Sequence, residues 1–175
     1  MTEEGHVKPS RAILLGGLTV GVLDGLDAVI FFGLRNGAAP YRIFQAIAAG
    51  LLGKASFQGG MATAALGLLL HLCIATTIVA VFVLASRRLP ALARRPFLWG
   101  PLYGVAAYLV MNLVVVPLSA ATPAHKALPV VINGVLIHIF GVGIPSALFA
   151  RAAARPQIGT QPPLDPLEPG EEWAG

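Results

Sequence analysis

The chain holds one cysteine, Cys73. A single thiol excludes an internal disulfide and any cluster of thiolates. Lying inside a long apolar run, it reads as a small hydrophobe packed against a neighbouring helix. Charge is scarce: Asp, Glu, Lys and Arg make up 11% of the 175 residues, against about 25% in a soluble domain. Aromatic residues are 7%, and no basic patch is interleaved with them. The net charge of +4 and the pI near 9.7 therefore do not describe a nucleic-acid surface. There is no HExxH, no Ser-His-Asp spacing and no Gly-rich phosphate loop, so hydrolytic enzyme chemistry is not expected. The repeat Gly17-x-x-x-Gly21-x-x-x-Gly25 sits inside an apolar run and reads as helix packing.

What the chain has in excess is apolar length. Hydrophobic residues are 56% and mean hydropathy is +0.77. Four runs, at residues 12–34, 61–85, 98–118 and 128–150, each reach the length of about 20 residues that crosses a bilayer as a helix. A soluble core of this size could not hide that surface, so the lipid bilayer is the expected partner. The first run is longer than the roughly 7–15 residues of a cleaved signal core, carries two aspartates and lacks a clear small-x-small site after it, so a retained span is expected.

Between the first two runs, Arg35-Asn36-Gly37 and Pro40 mark a turn. Residues 41–54 then place Ile43, Phe44, Ile47, Ala48 and Leu51 at helical spacing, with Arg42, Gln45 and Lys54 interrupting. The segment is too short to span and predicts a helix lying in the membrane interface. Arg87, Arg88 and Pro90 stop the second span. Trp99 and Tyr103 suit an aromatic belt, and Pro101 suits the first turn of the third helix. The expected architecture is all-α: an integral membrane four-helix bundle with one additional interfacial helix between spans one and two. Residues 1–11 form a short head, and residues 151–175 a Pro-rich acidic tail expected to be disordered.

Lys8, Arg11, Arg87, Arg88, Arg94, Arg95, Arg151 and Arg155 fall on one side of this topology; Arg35, Arg42, Lys54 and Lys126 fall on the other. The excess places both termini in the cytoplasm.

Each span carries polar residues: Asp24 and Asp27 in the first, His71 in the second, Asn112 in the third, Asn133 and His138 in the fourth. At 1.5 Å per residue, Asp24, Asp27 and Asn112 lie about 18, 22 and 21 Å above the starts of their spans. His71 and His138 lie about 15 Å, and Asn133 about 8 Å, below the starts of the descending ones. In a core about 30 Å thick, all six fall between the midplane and the outer third. Their helical faces carry small residues: Asp24 aligns with Gly17, Gly21, Gly25 and Ala28; His71 with Gly67 and Ala75; His138 with Gly134 and Gly141; Asn112 with Gly104 and Tyr108. Small residues mark close helix approach, so the polar groups are expected to face the bundle interior.

Such a layer suits three roles. As a structural or interaction component, the protein would use Asp, His and Asn to fix helix register. As a small transporter or proton relay, it would use Asp24, Asp27, His71 and His138 as titrating members and the two asparagines as neutral coordinators. Four helices are few for a transporter acting alone, so that role implies a homo-oligomer. As a haem or divalent-metal protein, it would use His71 and His138, with or without Asp24, as ligands. No cofactor is required by the first two roles.

The stretches GLLGKASFQGG (residues 50–60) and YGVAAYLVMNLVVVPLSA (residues 103–120) resemble a family of small, uncharacterised bacterial inner-membrane proteins with four predicted spans. The similarity covers about residues 12–150. It implies a bacterial inner-membrane location and transfers no activity and no site residue.

Overall fold

In the computed structural model, residues 7–122 and 127–154 are described. They form helices with no strand among them. α1 is Pro9–Asn36, α2 Pro40–Leu52, α3 Gly60–Arg88, α4 Pro90–Arg94, α5 Pro96–Leu118 and α6 Leu128–Ala154. A 3-10 turn, Gly53–Gln58, joins α2 to α3. Proline occupies the first turn of α1, α2, α4, α5 and α6, where its missing N–H costs nothing. α1 stops at Gly37, whose left-handed backbone (φ 64°) lets its N–H reach Gly33 O while Ala38 N–H reaches Phe32 O.

Helices α1, α3, α5 and α6 are each long and apolar enough to cross a membrane. Only 17–22% of their most apolar stretches is buried, and Leu14, Leu26, Leu69, Leu84, Leu113 and Phe140 point outward. An outer surface this apolar requires lipid around it, and the chain is a multi-pass membrane protein.

Several expected boundaries move. The third helix starts at Pro96, so Pro101 lies inside it, and the short α4 fills what reads as a link. Tyr103 is not a belt residue: its hydroxyl donates to Ile78 O at 2.6 Å and its ring packs edge-on against Phe82. Cys73 is exposed on the outer face of α3. Arg151–Ala154 continue α6; the rest of the expected tail lies outside the described residues, as do residues 1–6 of the head.

α2 occupies the expected place between the first two spans, packed along the first turns of α3. Gly67 of α3 meets the backbone of Phe44, leaving no space for a Cβ. Gln45, read from sequence as an interruption of the apolar face, is fully buried. Its amide donates to Gly60 O (2.8 Å) and approaches Thr63 Oγ1 (3.3 Å), while Arg42 donates to Gln45 Oε1 and to Phe57 O. A buried amide is tolerated when its hydrogen bonds are made, and here they clamp α2 to the start of α3. Ala120 N–H donates to Gly50 O, tying α2 to the end of α5 as well.

The core lies toward the end of the bundle that carries the start of α1 and the end of α6. It comprises Val20, Ala75, Val79, Phe82, Val83, Val142, Ala147 and Ala150. The other end is looser: the first ten residues of α6, Leu128–Ile137, include none that is buried. At that end α2 buries Gln45, Ala48 and Ala49, while the start of α6 packs loosely.

Candidate functional site

The six polar residues expected to share a layer line two cavities beside the core. One cavity of about 240 Å³ is lined by Asp24, His71, Asn112 and His138, with Ile47 of α2 in its wall. A second, of about 170 Å³, is lined by Asp24, Asp27, Asn112, Asn133 and His138. Asp24, Asn112 and His138 belong to both, so the cavities adjoin.

Asp24 stands between the two imidazoles: its Oδ2 is 4.0 Å from His71 Nδ1 and its Oδ1 is 3.9 Å from His138 Nδ1. These are ion-pair separations, longer than a direct hydrogen bond. Each ring is also held by a backbone carbonyl. His71 Nε2 bonds to Gly21 O at 2.8 Å, and His138 Nδ1 to Gly134 O at 2.9 Å. A carbonyl only accepts, so both nitrogens carry a hydrogen. Gly21 lies one turn before Gly25, and a Cβ on Gly25 would come within 3.2 Å of His71 Nε2. The small-residue stripe of α1 is therefore what admits the His71 ring. Asn133 Nδ2 donates to Asp27 Oδ2 at 2.7 Å, linking α6 to α1. Asn112 Nδ2 donates to Tyr108 O at 2.8 Å.

The backbone itself is modified at this level. α5 widens into a π-helical turn at Met111–Val115 and α6 into another at His138–Gly143. One contains Asn112 and the other His138. Pro117 and Pro145 follow, and each would set its ring against the carbonyl four residues back, Leu113 and Gly141, inside those turns. π turns of this kind recur at functional sites. No protein-family model, curated protein or solved structure matches this chain.

Two aromatic contacts add to the set read from sequence. The Tyr108 ring lies edge-on to His138 (5.3 Å between centroids) and Phe44 of α2 to His71 (6.3 Å). Tyr108 shares a helical line with Asn112, but sequence alone does not say that it faces His138 across α6. Among the described residues, no three His, Cys, Asp or Glu side chains converge in a way that could hold a metal ion.

Proposed function

We propose that the protein is a small transporter or proton-relay protein of a bacterial inner membrane, with Asp24 as the proton-holding group and His71 and His138 as its exchange partners. The observation that supports this is the pair of adjoining cavities sharing Asp24, Asn112 and His138 inside the bundle. Ionisable groups at this depth face a cost that is tolerated where they line a polar cavity. With Nε2 of His71 committed to Gly21 O, Nδ1 faces the carboxylate either as a lone pair or as a second N–H. The pair is settled when one proton sits on either partner, or when water spans the 4.0 Å gap. A proton can thus pass between Asp24 and His71 with small movements, whereas exchange with His138 first breaks its Nδ1 bond to Gly134 O, and Asp27 with Asn133 extends the polar lining.

The charge count supports both termini in the cytoplasm, with α2 on the outer face. The resemblance of residues 50–60 and 103–120 supports the bacterial inner membrane. Four spans enclose a small interior, which supports assembly as a homo-oligomer.

One observation favours the structural reading instead. The Asn133–Asp27 hydrogen bond joins two helices directly, as register-fixing pairs do. Proton uptake into liposomes holding a pH-sensitive dye separates the two. Asp24→Asn is expected to abolish pH-driven uptake while the purified protein keeps its helix content and assembly state. Uptake by the variant equal to that of the native chain would leave the layer as a structural device.

A further inference from the structure

Between α3 and α5 lies an apolar groove of about 440 Å³, lined among others by Cys73, Thr77, Ala106 and Val110. Its size is within the roughly 300–1,000 Å³ of small-molecule sites. The polar groups along it are already used: Thr77 donates to Cys73 O and Tyr103 to Ile78 O. The groove therefore offers mainly dispersion contacts. Ile74, Ile78 and Met111 line both this groove and the cavity that holds Asp24 and His71. The apolar slot and the polar chamber thus adjoin across a wall of three side chains. No Lys or Arg lines the groove or either polar cavity, and their acidic groups are Asp24 and Asp27. The chamber is suited to positive charge.

We infer that groove and chamber together form one binding site for a small amphiphilic cation, its apolar body between α3 and α5 and its amine or ammonium beside Asp24. The inference rests on the proposed role of Asp24 as an exchangeable site, because cation and proton compete for the same carboxylate. The groups that face Asp24 and enter that competition are His71 of α3, His138 of α6 and Asp27 of α1; α2 contributes the non-titrating Ile47, and α5 contributes Asn112 and the phenol of Tyr108. An inorganic ion would leave the groove unused, and an anion would meet two carboxylates.

Cys73, the one thiol of the chain, lies in the groove and reports on it. The rate of its labelling by N-phenylmaleimide is measured on the full chain in nanodiscs of uncharged lipid. Octyltrimethylammonium, octanol and octanoate are added in turn. Saturable protection by the ammonium compound and none by the other two is expected. Asp24→Asn should lose that protection. Ala106→Trp, which fills the groove from an exposed position, should also lose any added protection by the cation. Equal protection by octanol or octanoate overturns the inference, as does protection that survives Asp24→Asn. So does efficient Cys73–Cys73 cross-linking under oxidation, which would assign the groove to a second copy. If Asp24→Asn stops proton uptake but the cation never protects Cys73, this inference falls and the relay stands. Asp24-dependent protection without any proton uptake gives the reverse.

Discussion

Gly104→Ala tests the packing that holds the site together. A Cβ on Gly104 would fall on the carbonyl oxygen of His138 and within 2.9 Å of the Ile139 Cα. Both obstacles are backbone, and they belong to the π turn of α6 that carries His138, so no side-chain rotation can make room. Overpacking of this kind costs about 1–3 kcal/mol, and a backbone obstacle places it at the upper end. Alanine recovers about 1 kcal/mol of helix propensity, leaving a net loss of about 2 kcal/mol. Gly33→Ala is the matched control, because the nearest atom to its new Cβ is Ala38 O at 3.7 Å, an ordinary contact. It should gain up to about 1 kcal/mol. The two variants are therefore expected to differ by about 3 kcal/mol in denaturant unfolding in mixed micelles, followed by intrinsic fluorescence. Because α6 must back away from α5, Gly104→Ala should also lower proton uptake more than its stability loss alone would. A difference below about 1 kcal/mol would refute the close α5–α6 approach on which the position of His138 depends.

Two further substitutions test the layer and the packing of α2 on α3. Asn133→Ala removes the 2.7 Å bond to Asp27 and should cost about 0.6 kcal/mol, at most about 1.7, as interhelical bonds in membranes do; the same unfolding assay measures it. Gln45→Ala removes a wholly buried amide with its bonds to Gly60 O and Thr63. At about 1 kcal/mol per net hydrogen bond plus the cavity left behind, it should cost about 2–4 kcal/mol, seen as faster amide exchange in residues 40–58 with little change in α1.

Much of the fold is written in local hydropathy. A helix that must satisfy its own backbone in lipid needs a long apolar run, and such runs are counted without knowing their neighbours. The depth of Asp24, His71 and His138 follows in the same way, because rise per residue is fixed. The ends are less legible. Pro96 and Pro101 both suit a helix start, and only the packed chain chooses Pro96. Gln45 misleads because its polarity says nothing about Gly60 O and Thr63, which satisfy it from 15 and 18 residues away. The π turns leave a trace in Pro117 and Pro145, but a proline marks a disturbed turn without saying which partner helix it serves.

By itself, then, the order of residues determined a helical chain with four spans and a belt of acid, imidazole and amide groups at one height, since length and rise are properties of a single helix. Tertiary packing alone decided that Asp24 stands between two histidines, that the core gathers toward one end of the bundle, and that an apolar groove adjoins the polar chamber. Those features depend on which faces of different helices touch, and that is set by contacts such as Gly104 against His138 and Gly67 against Phe44, between residues far apart in the chain.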